Sequence, residues 1–270
     1  MTERSSDRSG AGDRTPTRAE PTHGGHGGDV IGQGVPPIHC RDLSVGYDGE
    51  AVLEGLSFSV TDGATLALVG RSGCGKSTLL KTLAGVIDPL AGDATVLGTS
   101  LPGAPPAGSI GYIPQSLGLV MHASVLRNVL HGTLSDLGRL RSLLGRFPPE
   151  AKREARTAIE MVELADKGTA RVAELSGGQR RRVAIARAFV QRPHLLLADE
   201  MLSELDEETA RAIADCVATI KAETGMTVVI VEHDLDVAEA LSDQLIRLAD
   251  GGIGERLEQS RAPVNAASGQ

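Results

Sequence analysis

The fold is decided by residues 70–78, which read Gly70-Arg71-Ser72-Gly73-Cys74-Gly75-Lys76-Ser77-Thr78. An apolar run at residues 65–69 precedes this stretch, and a leucine-containing segment at residues 79–83 follows it. The order predicts a buried strand, a glycine-rich loop and a helix, with the pattern G-x-x-x-x-G-K-[ST] across the loop. Glycines let such a loop turn its N–H groups inward, and the helix N-terminus adds positive potential. We therefore expect a site for the phosphates of a nucleoside triphosphate.

Two side chains of this phosphate loop have separate expected roles. Lys76 is expected to reach the β- and γ-phosphates, and the hydroxyl of Ser77 is expected to hold Mg²⁺. All nine residues from 70 to 78 are candidates for contact with the nucleotide.

Composition limits the classes of protein to which the chain can belong. Its 270 residues suffice for one large domain, or for a domain with a subdomain. A formal net charge of −8 argues against nucleic acid as a partner, because phosphate backbones require a surplus of basic side chains. Three widely spaced cysteines predict no disulfide framework and favour a reducing compartment. The sequence contains no run of about 18 apolar residues, so no membrane span is predicted.

Changes in composition and periodicity predict the domain organisation. Residues 1–36 are rich in Gly, Ser, Thr, Pro and Arg, and they are expected to form a disordered tail. Residues 37–258 are expected to form one ATP-binding domain, and residues 259–270 a flexible end. Within the domain, short antiparallel strands are expected ahead of the phosphate loop, at residues 39–45, 52–53 and 56–60. The helix after the loop is expected to reach about Val86. A helical period between residues 123 and 165 predicts an inserted helical subdomain over about residues 116–190.

Four polar side chains follow apolar strands, at the sheet edge where ligands bind in parallel α/β folds. Asp199 is a candidate to hold the hydration shell of Mg²⁺, and Glu200 is a candidate to polarise the attacking water. Gln115 could ligate Mg²⁺ or a water through its amide oxygen. His233 could bond the γ-phosphate and orient Glu200, or it could be a purely structural strand-end histidine.

A second candidate anion site lies at Leu175-Ser176-Gly177-Gly178-Gln179, just before a predicted helix. It offers a hydroxyl, bare backbone amides and a helix N-terminus. Because one chain carries two such sites, we expect the second to act on the nucleotide of a partner. Tyr47, in a turn upstream of the phosphate loop, could stack on adenine or pack on its own sheet.

In their order and approximate spacing, these motifs resemble those of the ATP-binding-cassette (ABC) ATPases over about residues 38–256. The motifs are the phosphate loop, Gln115, residues 175–179, Asp199-Glu200, the Ser203-x-Leu-Asp206 segment and His233. The resemblance implies an α/β P-loop NTPase cassette with a RecA-like core, an antiparallel β subdomain and an inserted α-helical subdomain. It also implies an ATP hydrolase that uses ATP and Mg²⁺.

The resemblance further implies a head-to-tail homodimer with two ATP molecules between the subunits. Ser176 and Gly178 would touch the γ-phosphate held at the partner's Lys76, and Asp206 would lie across the interface. Tyr47 would stack on adenine and Glu200 would be the catalytic base. Gln115 and the helical subdomain would link the ATP state to integral membrane permease subunits, and indirectly to a solute-binding protein. The expected location is therefore the cytoplasmic face of the membrane.

A finer resemblance is to the phosphonate-importer ATPases, through residues 124–132, 142–147, 164–167 and 190–200. It implies uptake of phosphonate or a related phosphorus oxyanion. Two departures bear on the cargo: Met201-Leu202 follows Glu200, and the histidine lies in Val231-Glu-His-Asp234. The alternatives are a different cargo, such as a metal ion or another small solute, or a non-transport ATP-binding component of a phosphonate-degrading complex. DNA-repair and translation cassettes are disfavoured, since the chain lacks a long coiled coil and a second cassette.

Overall fold

The structure is a computed structural model that describes residues 35–135, 147–203, 205–249 and 251–258. The predicted disordered tail, apart from residues 35 and 36, and the predicted flexible end at residues 259–270 lie outside the described residues. The same holds for the apolar positions between residues 137 and 144 that contributed to the predicted helical period. Within the described ranges, no helix combines the length and apolar character needed to cross a membrane.

Ten strands and six α-helices make up the described part of the domain. The strands are β1 Ile38–Tyr47, β2 Glu50–Val60, β3 Thr65–Gly70, β4 Ala91–Val96, β5 Thr99–Ser100, β6 Ile110–Ile113, β7 Leu195–Asp199, β8 Thr227–Glu232, β9 Gln244–Ala249 and β10 Gly252–Glu258. The helices are α1 Lys76–Leu83, α2 Val125–Leu130, α3 Pro149–Met161, α4 Gly177–Phe189, α5 Glu207–Thr224 and α6 Leu235–Leu241.

The strands form two sheets. The first sheet has four strands in the order β2-β1-β4-β5, and all of its neighbours are antiparallel. The second has six strands in the order β10-β9-β3-β8-β7-β6, and all are parallel except the edge strand β10. This mixed α/β architecture agrees with the predicted cassette fold, including its antiparallel sheet ahead of the phosphate loop.

The parallel sheet is covered on both faces, which explains why its central strands are apolar at nearly every position. Alternate side chains of a strand point to opposite faces. In β3, Ala67 and Val69 pack with α2, α3, α4 and α5 in one apolar core, whereas Leu66 and Leu68 pack with α1 and the antiparallel sheet in another. Three layers result, and the sheet is the middle one.

The inserted helices form a small bundle against α4. Helices α2 and α3 contact each other and both contact α4. The Ser124 hydroxyl caps α2 by accepting a hydrogen bond from the Arg127 N–H at 3.2 Å. The described part of the insertion is thus helical, as the change of period predicts.

Three local expectations differ from the structure. The two short strands predicted at residues 52–53 and 56–60 are parts of one strand, β2, because pairing with β1 holds the intervening residues extended. The helix predicted to reach about Val86 ends at Leu83, where Gly85 adopts a positive φ of 69°. Helix α6 was not predicted from the sequence, although Asp234 caps it by accepting from the Asp236 and Val237 N–H groups.

Leu68 offers a test of this layered core. Its side chain is fully buried between the sheet and α1, so Leu68→Ala should lower the free energy of unfolding by about 3 kcal/mol through lost burial and a residual cavity. Leu257→Ala is the matched control, since Leu257 is 38% exposed in the edge strand β10. Urea unfolding followed by circular dichroism measures both variants, and equal losses would contradict the assigned core.

Candidate functional site

The phosphate loop connects β3 to α1, and its backbone carbonyl oxygens bind the ammonium group of its own lysine. Gly75 adopts a φ of 103°, and a Cβ at this position would lie 2.7 Å from Cγ of Leu53, so only glycine fits. The Lys76 ammonium donates hydrogen bonds to the carbonyl oxygens of Gly70 at 2.7 Å and Arg71 at 3.1 Å. Lys76 is 4% exposed. A fixed positive charge therefore lies inside the loop, where an anion would be held.

A hydroxyl and a carboxylate meet beside the loop. The Ser77 hydroxyl, in the first turn of α1, donates to Oδ1 of Asp199 at the end of β7, at 3.0 Å. Burial raises the pKa of Asp199 above its ordinary value, and the hydrogen bond from Ser77 opposes that rise. These oxygen atoms are the hard ligands that Mg²⁺ prefers, and Mg²⁺ is commonly bound through one or two protein groups plus substrate phosphates.

The described residues contain no group of three or more His, Cys, Asp or Glu side chains placed to hold a metal ion by themselves. Ser77 and Asp199 therefore fit a Mg²⁺ that arrives with a nucleotide and takes most of its remaining ligands from phosphate and water.

The carboxylate of Glu200 lies between two side chains from neighbouring strand ends. The Gln115 amide N–H donates to Oε2 of Glu200 at 2.6 Å, and Nε2 of His233 lies 2.5 Å from Oε1. The structure thus brings together three of the predicted strand-end residues. The hydrogen bond of the Gln115 amide is to Glu200 and not to Ser77 or Asp199. Its expected contact with Mg²⁺ therefore stays a prediction.

These groups face one cleft of about 570 Å³. The cleft is lined by Val52, Ser72, Gly73, Gly75, Lys76, Ser77, Thr78, Gln115, Glu200, Ser203 and His233. It combines a cationic loop with carboxylate, amide and imidazole groups opposite. This arrangement suits a phosphate chain whose terminal group is exposed to a water near Glu200.

Tyr47 is the last residue of β1, and its side chain remains 45% exposed. This exposure leaves both sequence-based alternatives, stacking on adenine and packing on its own sheet, as predictions. An exposed aromatic surface upstream of the loop is available to a planar base.

Residues 175–179 lie apart from this cleft. Ser176 and Gln179 form a capping box at the N-terminus of α4, in which the Ser176 hydroxyl accepts from the Gln179 N–H and the Gln179 amide oxygen accepts from the Ser176 N–H. Leu175 is buried, whereas Gly177 is exposed. None of the five residues is among the described lining of the cleft. The second candidate anion site therefore lies outside the lining of this cleft.

Asp206 is also placed by a helix cap. Its carboxylate accepts from the Thr209 N–H at 2.9 Å and from the Thr209 hydroxyl at 2.7 Å, at the start of α5. These hydrogen bonds lower the pKa of Asp206. Asp206 is therefore an exposed anion, and it lies at the end of the segment between Glu200 and α5.

Two buried charged residues next to the site were missed from the sequence. Arg181 on α4 donates to the carbonyl oxygens of Glu200, at 3.0 Å, and Ser203. Glu232 at the end of β8 is 3% exposed, and its Oε1 accepts from the Leu202 N–H at 3.3 Å. Burial raises the pKa of Glu232 to about 7.

The sequence context of both Arg181 and Glu232 indicated that these charged residues are buried. Arg181 shares the helical spacing of Ala184, Ile185 and Ala188, all of which are buried. Glu232 directly continues the apolar run at residues 227–231. A charge at a core-facing position of this kind indicates a functional or paired group.

A family model described as ABC transporter matches residues 53–203. The chain is 40% identical to "Phosphonates import ATP-binding protein PhnC 2" of Pseudomonas savastanoi pv. phaseolicola, covering 80% of this chain and 82% of that protein. It is 37% identical to "Phosphonates import ATP-binding protein PhnC" of Lactobacillus gasseri, covering 84% and 91%.

Solved structures agree at the level of the fold. One is a dimeric post-hydrolysis state of an ATP-binding cassette bound to ADP and Pi. It matches with a TM-score of 0.71 and 26% identity, covering 82% of this chain and 98% of that one.

The buried carboxyl of Glu232 predicts a pH effect on stability. Its pKa is about 7 in the folded chain, against an ordinary value of 4.5. The folded state thus retains a proton that the unfolded state has lost, so this group's stabilising contribution is present below pH 4.5 and is lost as pH rises through 7. We expect the stability of Glu232→Gln relative to the wild type to rise by about 2 kcal/mol between pH 5 and pH 8.

Urea titrations of the wild type and Glu232→Gln across this pH range measure the difference. Glu223→Gln, at an exposed position of α5, is the control and should show no such trend. A flat difference for Glu232→Gln would mean that the carboxyl is not buried as the structure has it.

Proposed function

The chain belongs to the ABC transporter family of ATP-hydrolysing cassettes, and on that basis we propose that it energises import of phosphonate or a related phosphorus oxyanion. The observation that carries the proposal is that Lys76, Ser77 and Glu200 line one cleft, with Asp199 hydrogen-bonded to Ser77. The relatives' names supply the cargo class.

In the proposed site the phosphate loop, residues 70–78, surrounds the phosphates of ATP with backbone N–H groups. Lys76 neutralises charge on the β- and γ-phosphates, and its buried ammonium needs only to exchange carbonyl partners for phosphate oxygens. Tyr47 stacks on adenine through its exposed ring. Each contact uses a group that the loop or strand already holds in place.

Ser77 and Asp199 are the residues that would hold Mg²⁺, with Gln115 as a further candidate ligand. The ion, when bound, neutralises charge that develops on the phosphate oxygens during transfer. The Ser77–Asp199 hydrogen bond supports this assignment because it fixes both oxygen ligands beside the loop before the nucleotide arrives.

Glu200 is the proposed general base, and His233 positions it. The carboxylate takes a proton from a water directed at the γ-phosphorus, while His233 holds one carboxylate oxygen and reaches toward the γ-phosphate. Gln115 holds the other oxygen. The two contacts support this role because they restrict rotation of the carboxylate, and a fixed base avoids the entropic cost of orienting it during reaction.

Two copies of the chain form the working unit in this proposal, arranged head to tail. The segment from Leu175 to Gln179 of one subunit contacts the ATP held by the other, through the Ser176 hydroxyl and the Gly178 backbone, and Asp206 lies at the interface. The position of this helix tip outside its own cleft supports the arrangement. A related cassette bound to ADP and Pi is described as dimeric.

Membrane partners follow from the proposed role in transport. The ATPase dimer is peripheral, on the cytoplasmic face of the membrane, and it drives integral permease subunits that receive cargo from a solute-binding protein. Gln115 and the helical subdomain over about residues 116–190 transmit the ATP state to those subunits. The proposed ATP-binding domain spans residues 37–258.

Replacement of Glu200 by Gln tests the catalytic assignment. The amide retains the hydrogen-bonding shape but cannot accept the proton, so ATP hydrolysis should fall at least about 100-fold while ATP affinity stays within a few-fold. The ATP-bound variant should elute as a dimer in size-exclusion chromatography with light scattering. Glu223→Gln is the control, and a monomeric Glu200→Gln variant with unchanged turnover would contradict the assignment.

Reconstitution tests the cargo. The ATPase, assembled with its permease in nanodiscs, should hydrolyse ATP several-fold faster when the solute-binding protein is loaded with methylphosphonate than when that protein is empty. Stimulation by a chelated metal ion instead would favour the alternative cargo. An ATPase that assembles with no permease but with phosphonate-degrading enzymes would contradict the transport role.

A further inference from the structure

The backbone directly after Asp199 adopts an uncommon conformation that aims the proposed base. Glu200 has a φ of 53°, in the left-handed region that non-glycine residues avoid. Its N–H donates to the carbonyl of Val231 at 3.0 Å, which continues the pairing of β7 with β8 by one residue. Beyond that bond the chain must turn sharply, and the turn at residues 200–203 needs other support.

Arg181 supplies that support from outside the strand. Its two terminal nitrogens donate separately to the carbonyl oxygens of Glu200 and Ser203, so one planar guanidinium spans both ends of the turn. The Ser203 hydroxyl donates to the same Glu200 carbonyl at 2.9 Å. Because Arg181 is itself 91% buried, its position is set by the packing of α4. The position of the turn therefore depends on the position of α4.

Glu232 also binds this turn, and it follows the turn in sequence whereas Arg181 precedes it. It accepts from the Leu202 N–H, between the two carbonyls that Arg181 binds. Met201 and Leu202, which form one of the two departures from the phosphonate-importer pattern, are buried in the core. The turn is therefore anchored by apolar side chains and by one buried cation and one buried carboxyl.

We propose that Arg181 is a positioning residue for ATP hydrolysis, which holds the turn at residues 200–203 so that the Glu200 carboxylate faces the cleft. The inference rests on the proposed role of Glu200 as general base. Arg181 lies one turn inside α4, whose N-terminus carries residues 175–179. The orientation of the base thus depends on the helix that contacts the nucleotide of the other subunit, and a shift of that helix changes the rate without a direct contact between the two sites.

The first variants separate catalysis from binding. Arg181→Gln should lower kcat for ATP at least about tenfold while the KM for ATP changes less than about twofold, because the nucleotide contacts are unaffected. Arg181→Lys should recover part of the loss, since one ammonium can reach one of the two carbonyls but lacks the planar fork. Arg182→Gln is the matched control on the same helix: Arg182 binds the Val162 carbonyl and Glu163, remote from the turn.

A double variant separates positioning from stability. Arg181→Gln leaves the Glu232 carboxyl buried without a neighbouring cation, and this alone should reduce the melting temperature. Adding Glu232→Gln removes that charge while keeping an acceptor for the Leu202 N–H. We expect Arg181→Gln/Glu232→Gln to regain most of the lost melting temperature with kcat still at least about tenfold below the Glu232→Gln value.

Three results would overturn the inference. They are an unchanged kcat in Arg181→Gln, a loss expressed only in KM, and recovery of kcat together with stability in the double variant. Glu200→Gln is measured in parallel. If it is inactive while Arg181→Gln is fully active, only this inference fails, whereas turnover by Glu200→Gln overturns the catalytic assignment and this inference together.

Discussion

The parallel pairing of β6, β7 and β8 is the constraint on which the site depends. Ile113 lies opposite Ala198, and Asp199 lies opposite Val231. This register ends all three strands at the same edge and places Gln115 and Glu200, each two residues beyond the paired Ile113 and Ala198, side by side. His233 comes one position later on β8, because Ala198 pairs with Ile230, and both Gln115 and His233 contact the Glu200 carboxylate at 2.5–2.6 Å. A slip of one residue in β7 would turn Glu200 toward the other face of the sheet.

This convergence has an energetic cost that the surrounding structure offsets. Buried carboxylates resist ionisation, and a left-handed non-glycine residue costs about 1–3 kcal/mol. The chain concentrates both at residues 199–203. Hydrogen bonds from Ser77, Arg181 and Gln115 compensate in part, and the fully buried strands β7 and β8 supply the packing energy that keeps the edge in place. The backbone is thus strained at Glu200 and is kept in place by the packing around it, as expected where a base must be oriented before its substrate binds.

Most of the architecture could be predicted from periodicity and turn residues. The strand–loop–helix around Lys76, the apolar strands at residues 195–199 and 227–232, and the change to a helical period after residue 123 all have strong local signals. Elements with weak local signals were predicted less well. Helix α6 has only seven residues, too few to establish a period, and β2 is continuous only because β1 pairs along its length.

By itself, the sequence determined the chemistry of this protein: which residues can bind phosphate, which carboxylates follow buried strands, and which family shares their order. These properties depend on residue type and on spacing along the chain, which are local. The tertiary structure alone decided that Gln115 binds the Glu200 carboxylate beside His233, that residues 175–179 lie outside the lining of their own cleft, and that Arg181 and Glu232 bind the turn at residues 200–203. Those contacts join residues that are 19 to 85 positions apart, as from Arg181 to Glu200 and from Gln115 to Glu200. Only packing of the layers brings such residues into contact, because no local propensity encodes a distance between elements remote in sequence.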